Sequence, residues 1–512
     1  MVLPQALSEC SAQAIKFPTI FGATFLSVQV SLVQNHSLIV PPEYQLYRDD
    51  NFGRNLSFCN VTLTHTHPGQ TDVAVTQVWL PIQPEWNGRL KMVGGGGWIA
   101  GLEWFTDLTM SVAVAESYAT VTTNGGVCSG GPDEWALLSP GNLDQTALQN
   151  FAHVVLRDAA LAAKSVITSY FDRQARFSYF DGCSQGGRQG LMFAQRYPDI
   201  FDGIQAAAPA FHTEYIVASH FPQQIMNEMK QYPQPCELDA LTNLAIESCD
   251  AHDGLLDGII SDPDACHFDP YSAVGKEINC SSSSSSKMLS ELAAVVADAA
   301  WNGARRADGS ILWPTLGHQA NLTKDGGLAG TVCSSNGTCF GKGNSLAAIA
   351  IRLFVKKDRD FDVSSLSRRE YEQVFREAFA EFDSTIGTRS PYLYDFQQAG
   401  GKMLTYHGIA DESIPFRGSR QYYEAVTAIY PEVHNFYRLF EAPGLGHCQG
   451  GVGGYPAGSF DALVNWVENG VAPVGLKTIN IANRTSLLCP YPKKALFTGS
   501  SPEYSMEDFV CK

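Results

Sequence analysis

The spacing of hydrophobic and polar positions changes several times along this chain, and the changes lay out its elements. Residues 73–80 alternate apolar and polar positions, the period of a half-buried strand. Residues 89–93 form a second short strand that runs into Gly94, Gly95, Gly96 and Gly97, and residues 119–123 form a β-branched third. From 144 to 171 the apolar residues Leu148, Phe151, Val155, Ala159 and Ala162 recur at helical spacing and predict one long helix. A strand follows at 177–180, then a glycine-rich turn at 182–187, a helical stretch to Tyr197 and a buried strand at 203–208. The alternation returns late, with strands at 403–406 and 436–440 and helices at 418–429 and 459–467. Strands alternating with helices predict a mostly parallel sheet covered on both faces. Between 212 and 399 the pattern breaks into paired Cys, a six-Ser run (Ser281 to Ser286) and Asp/Gly-rich loops. This segment reads as one large insertion, a lid domain between two halves (1–211 and 400–512) of a single α/β core. The Ser run is a flexible loop within it.

Composition narrows the class. With 45% hydrophobic and 17% charged residues, the chain is an ordinary globular one. A formal net charge of -17 argues against nucleic acid as a partner, because phosphate binding needs basic surface. No run of 18 apolar residues is present, so no membrane span is expected. Met1 to Cys10 lacks a basic region followed by an apolar stretch. There are 13 Cys, together with Asn-x-Ser/Thr sequons at Asn35, Asn55, Asn60, Asn279, Asn321, Asn336 and Asn483. Many Cys with many sequons favour an oxidising, glycosylating route. The expectation is a secreted, extracellular protein whose leader has been removed. Nothing in the sequence specifies an oligomeric state.

The strongest chemical signal is Gly182-Cys183-Ser184-Gln185-Gly186, a Gly-x-Ser-x-Gly after a strand and before a helix. That is the context of a nucleophile elbow, in which a sharp turn lifts the Ser hydroxyl above the sheet edge. It predicts an α/β-hydrolase core with Ser184 as nucleophile. An oxyanion needs two donors. The amide of Gln185 opens the helix and is the first. The second is one of Gly95 or Gly96, in the glycine loop after the 89–93 strand. Chain order in this fold is Ser, then acid, then His. The 403–406 strand leads to Asp411, with Glu412 beside it as competitor, and the 436–440 strand leads to His447. Among the 12 His, His434 precedes its strand and reads as a surface residue, while His407 at a strand end reads as a packed turn residue. Cys183 adjoins Ser184 and Cys448 adjoins His447, so a disulfide between them would tie the nucleophile loop to the base loop.

At these residues the chain resembles the tannase and feruloyl esterase family, fungal branch. The pattern Cys-Ser, Asp, His-Cys stands here as Cys183-Ser184, Asp411 and His447-Cys448, in the blocks GCSQGGRQGLMFAQRYPDIFDGI, KMLTYHGIADESIP and APGLGHC. The resemblance implies a hydrolase of phenolic acid esters, either feruloyl and p-coumaroyl esters on plant cell-wall polysaccharide or galloyl esters of tannins. A non-catalytic glycan-binding protein on the same fold is the reading from another class, and the intact Ser, Asp and His stand against it. The resemblance also implies a structural Ca²⁺ in the lid, held by Asp250, Asp253 and Asp257 with the carbonyls of Leu255 and Ile259. Carboxylates at short spacing with glycines between them suit a hard cation, and they also suit a solvated acidic loop. It implies the disulfides Cys10–Cys59, Cys249–Cys266 and Cys489–Cys511, and adds Cys236–Cys280 and Cys333–Cys339. Thirteen is odd, which leaves Cys128 over. One departure stands near the glycine loop. Where many relatives carry Thr-Gly-His, this chain has Thr123-Asn124-Gly125-Gly126-Val127-Cys128.

Overall fold

Seven strands of the first 210 residues and two late strands meet in one nine-stranded sheet. The computed structural model describes residues 10–40, 53–128, 131–210, 213–280, 286–313, 316–334, 338–342, 345–499 and 504–512. The Asn336 sequon, most of the Ser run and the expected 211/212 boundary lie outside the described residues.

The sheet strands are β1 (Thr24–His36), β2 (Leu56–Thr66), β3 (Ala74–Gln83), β4 (Arg89–Val93), β5 (Ala119–Thr123), β6 (Phe177–Cys183), β7 (Gly203–Ala207), β8 (Lys402–Gly408) and β9 (Tyr437–Ala442). Their order across the sheet is β1-β2-β3-β5-β4-β6-β7-β8-β9. From β5 to β9 every pair is parallel. The central strands are buried along most of their length, polar members such as Lys91, Thr122 and Thr405 included. The first three strands are an antiparallel meander, and β3 meets β5 antiparallel as well. Neither β1 nor β2 stands out in the sequence. The long β1 alternates intermediate and exposed positions without a buried face, as an edge strand can.

The covering helices include α1 (Trp104–Ala115), α2 (Val155–Phe171), α3 (Gln185–Arg196), α4 (Phe416–Ile429) and α5 (Ser459–Asn469). The helix expected over 144–171 is interrupted. A helical turn at Gln145–Gln149 passes through a π-helical stretch, Asn150–Val154, before α2 begins. The wider turn frees backbone carbonyls. Arg188 on α3 donates to one of them, Ala152 O, at 3.0 Å.

The intervening segment adds no strand to this sheet. Its residues pack into more than one cluster, and Val217, Phe221 and Ala304 of its first half join the main core. Met226, Leu238, Leu241, Trp301, Leu316 and Leu328 belong to a separate hydrophobic cluster drawn from residues 226–329. Phe354, Tyr371, Phe382 and Phe396 instead join the main core, and Phe354 stacks on Trp98 at 4.7 Å. The second half of the segment is therefore welded to the sheet-bearing core.

Six disulfides staple the chain: Cys10–Cys59, Cys183–Cys448, Cys236–Cys280, Cys249–Cys266, Cys333–Cys339 and Cys489–Cys511. Cys128 is in none of them. It is exposed, and its thiol lies 3.3 Å from Glu134 Oε2.

Candidate active site

β6 ends at Cys183 and α3 begins at Gln185, which leaves Ser184 alone to make the turn. Its φ is +62°, the left-handed region that a non-glycine residue enters only when its surroundings force it. The surroundings here are close backbones. A Cβ added at Gly182 would meet the Gly186 carbonyl carbon at 2.6 Å, and one added at Gly94 would meet Gly186 Cα at 2.6 Å. The elbow is then fixed by backbone bonds: Ser184 N donates to Ala207 O at 3.0 Å, while Ser184 O accepts from Arg188 N at 2.9 Å and Ala210 N at 3.1 Å.

The glycine loop after β4 packs on this elbow. Gly186 N donates to Gly95 O at 2.9 Å, and Gly95 N donates to Gln189 Oε1 at 3.1 Å. This removes Gly95 from the two sequence candidates for an oxyanion donor, since its only N–H is already committed to a buried side chain. The Gly96 amide lies against the carboxyl of Glu103. Burial pushes that carboxyl above its ordinary range, and the Gly96 amide only partly offsets the shift. Gln185 is the first residue of α3, where N–H groups have no intrahelical partner.

At the far side of the cleft, the loop after β8 presents Asp411 to the loop after β9. His447 Nδ1 lies 2.8 Å from Asp411 Oδ2. The other oxygen, Oδ1, accepts from the amides of Ser413 at 2.8 Å and Ile414 at 2.7 Å. Asp411 is 1% exposed. Burial alone would raise its carboxyl, but His447 and His407 hold it well below the usual carboxylate range. For His447 burial pulls down, yet the Asp411 carboxylate and then Glu412 outweigh it, and the imidazole titrates above its ordinary value. The competing acid is separated by geometry. Glu412 Oε2 takes the backbone amide of His447 at 3.2 Å, and Oε1 takes Lys324 Nζ at 2.9 Å.

His407, read from sequence as a packed turn residue, is fully buried and touches the acid. Its Nε2 lies 3.2 Å from Asp411 Oδ2 and 2.9 Å from Ile414 O, and its Nδ1 lies 2.6 Å from Ser419 Oγ. Because a carbonyl can only accept, Nε2 carries the proton and Nδ1 accepts from the serine. The sequence signal was its position four residues before Asp411. His434, by contrast, is exposed and pairs with Glu432 at 3.4 Å.

Ser184 and His447 line one cleft of about 450 Å³, together with Gly96, Glu103, Trp104, Phe105, Tyr406 and Tyr455. Catalytic hydrogen bonds commonly tighten only in the substrate complex. The bridge Cys183–Cys448 holds the two flanking Cα atoms 5.9 Å apart across a sequence separation of 265. A narrow annex opens on the other side of Ser184, walled by Trp98, Ile216, Leu346, Ile386 and Ile414. Two buried donors at this annex, Gln185 Nε2 and Arg188 Nη2, meet no acceptor among the described residues. Burial pulls the Arg188 guanidinium down to about 9. In the departing stretch, Asn124 Oδ1 accepts from Val75 N at 2.8 Å and Nδ2 donates to Val127 O at 3.0 Å. Asn124 therefore clamps the end of β5 to β3.

The acidic lid loop forms a tight turn. Asp250 accepts from the amides of Asp257, Gly258 and Ile259 at 3.0–3.2 Å. Asp253, Leu255, Asp257 and Ile259 line a common cavity. Burial first, and then the neighbouring carboxylates, raise Asp253 and push Asp257 up to about 6. Asp253 and Asp257 disfavour each other's charge and line one cavity, a donor set whose chemistry fits a cation, while Asp250 braces the turn from behind.

A family model described as tannase and feruloyl esterase matches residues 59–512. A protein of Arthroderma benhamiae described as "Probable feruloyl esterase" is 37% identical, over 89% of this chain and 86% of that one. Among solved structures, a tannin acyl hydrolase from Aspergillus niger superposes with a TM-score of 0.88 at 28% identity, covering 99% of this chain and 95% of that one. Feruloyl esterase B from Aspergillus oryzae gives 0.81 at 25% identity, covering 99% and 100%. The α/β-hydrolase fold expected from the serine motif is the fold these neighbours share. The match spans nearly the whole chain and carries both lobes of the cleft with it, so this carboxylic ester hydrolase belongs to the tannase and feruloyl esterase family.

Proposed function

We propose that the chain is a secreted serine esterase that cleaves phenolic acid esters through an acyl-enzyme. Ser184 is the nucleophile, His447 the general base and then the general acid, and Asp411 the group that orients the imidazole. The observation that carries this reading is the strained Ser184 turn sharing one cleft with a His447 whose Nδ1 sits on a buried carboxylate.

With Nδ1–H held by Asp411, the His447 lone pair is left on Nε2 and takes the Ser184 proton as Oγ attacks the ester carbonyl. The oxyanion is received by the amide of Gln185 at the start of α3 and by that of Gly96. Burial raises the Glu103 carboxyl, which disfavours the charged form that holds the Gly96 amide. His447 then protonates the leaving alcohol, and a water repeats the sequence to free the acid.

The apolar annex walls and the two spare donors of Gln185 and Arg188 suit a planar aromatic acid that carries hydrogen-bond acceptors. Feruloyl and p-coumaroyl esters of plant cell-wall material are the substrates we favour. Galloyl esters are the second reading, supported by the 0.88 TM-score to a tannin acyl hydrolase. Initial rates on methyl ferulate, methyl p-coumarate, methyl gallate and a peptide amide decide between them. No turnover of any ester, with no labelling of Ser184 by a fluorophosphonate probe, would leave a glycan-binding protein instead.

The segment 212–399 serves as the lid. Its acidic loop would hold a structural Ca²⁺ through Asp250, Asp253 and Asp257 with the carbonyls of Leu255 and Ile259, which ties that loop together without entering the chemistry. Secretion is supported by the six disulfides and by the exposure of Asn35, Asn55, Asn279, Asn321 and Asn483 as glycan acceptors, whereas Asn60 is half-buried on β2. No helix among the described residues is long and apolar enough to cross a membrane.

A further inference from the structure

Away from the cleft, the end of β2 meets α2 through a group of side chains that the ester chemistry does not use. His65, His67 and Asp158 each offer an atom, and these three atoms lie within 4.8 Å of one another. His65 is fully buried, and among the described residues neither of its ring nitrogens has a hydrogen-bond partner. Its Nε2 lies 3.9 Å from Asp158 Oδ2, and His67 Nε2 lies 2.9 Å from that same oxygen. A tetrahedral site with bonds of about 2.0–2.1 Å places its ligand atoms about 3.3 Å apart. The two observed separations to Asp158 Oδ2 straddle that spacing, and the three atoms lie within 4.8 Å of one another, so binding would draw them together around the ion.

The surrounding contacts are those of a metal centre's outer shell. His67 Nδ1 lies 2.5 Å from Asp72 Oδ2, which fixes the ring with Nε2 turned toward Asp158. Asp72 is itself held by Asn150 Nδ2 at 2.8 Å, Thr66 Oγ1 at 3.0 Å and His67 N at 3.1 Å. Arg157 Nη1 takes Asp158 Oδ1 at 2.9 Å and leaves Oδ2 for the centre. An ordinary buried ion pair explains His67 between its two carboxylates. It does not explain His65, an imidazole sealed from water and aimed at the same oxygen with nothing to bond.

We propose that His65, His67 and Asp158 bind one divalent first-row transition ion, with Zn²⁺ as the best fit. Two imidazoles and a carboxylate are borderline ligands that such an ion favours over Ca²⁺ or Mg²⁺. The ion takes the place of the proton between His67 Nε2 and Asp158, and that proton leaves to solvent. His67 is 14% exposed on its side chain, so a water can complete the fourth position from that side. None of the three ligands lines the Ser184 cleft. The ion joins β2 to α2 across 91 residues and acts as a fold clamp.

The test uses the full-length glycoprotein, cleared of transition ions with 1,10-phenanthroline and titrated with Zn²⁺ by calorimetry at fixed Ca²⁺. We expect one Zn²⁺ per chain, a rise in Tm with added Zn²⁺, and a tetrahedral visible spectrum when Co²⁺ replaces it. His65→Ala should weaken binding at least about 100-fold, and Asp72→Asn about 10- to 100-fold through the outer shell. Rates on methyl ferulate should stay at the parent level in both. Absence of a stoichiometric site in the parent protein would overturn the proposal, even if His65→Ala fails to fold. Binding that survives intact in a folded His65→Ala variant would also overturn it.

Discussion

Removing the bridge beside the cleft, as Cys183→Ala/Cys448→Ala, separates two contributions that the structure superimposes. The loop it closes spans 265 positions, so chain-entropy bookkeeping assigns the bridge about 5–6 kcal/mol, whereas native bridges removed from small domains typically cost about 2–5 kcal/mol. The lower figure is the better guide, because five other disulfides already restrict the unfolded chain. The effect on rate comes from geometry. Ser184 is held without the bridge by its bonds to Ala207, Arg188 and Ala210. His447 is held by Asp411 and Glu412, on a loop where Cys448 itself sits at a φ of +63°. Once the bridge is gone, the base loop can relax while the elbow stays. A displacement near 1 Å costs about 10²-fold in rate. The expected result is a folded variant with kcat lower by roughly 10²-fold and KM little changed, since the annex walls do not depend on the bridge. The assay is kcat on methyl ferulate after circular dichroism and a melting curve confirm folding. A folded double variant with near-parental kcat would refute the positioning argument and leave the bridge as a staple.

Ser184→Ala should lose about 10⁴-fold or more in kcat with the fold intact, His447→Ala should match it, and His434→Ala should be silent, all read on the same ester. The acidic limb of kcat/KM should fall at a midpoint above the ordinary imidazole value of 6.5, because His447 is held upward and must be neutral to act. Asp411→Asn should move that midpoint down, and a pH profile unmoved by this change would count against the pairing. His407→Ala should lower kcat by about tenfold by loosening Asp411, with a displaced pH profile distinguishing positioning from general damage. Stripping Ca²⁺ with a calcium-selective chelator should lower the Tm and restore it on readdition, and elemental analysis showing no calcium in protein never exposed to chelator would refute the site.

Local rules carried much of this protein into its sequence. Period and turn chemistry located most of the parallel strands, and the strand-turn-helix flanks of Gly182 to Gly186 marked Ser184, because only small residues allow that backbone approach. The order of strands along the chain placed an acid near 411 and a histidine at 447. What depended on meetings across the chain was not legible. Asp411 and Glu412 are neighbours with the same chemistry, and only the folded loop shows that one takes the His447 imidazole and the other its amide. Gly95 and Gly96 are identical in sequence, and it is the reach of Gln189 from α3 that removes Gly95. The segment 212–399 read as one insertion, but its second half buries Phe354 and Tyr371 in the main core, where long-range packing outweighs local composition. His407 and His65 are both buried histidines on strands of the sheet. One faces the buried Asp411 behind His447 and the other a carboxylate on α2, and only tertiary structure decides which partner a buried imidazole meets.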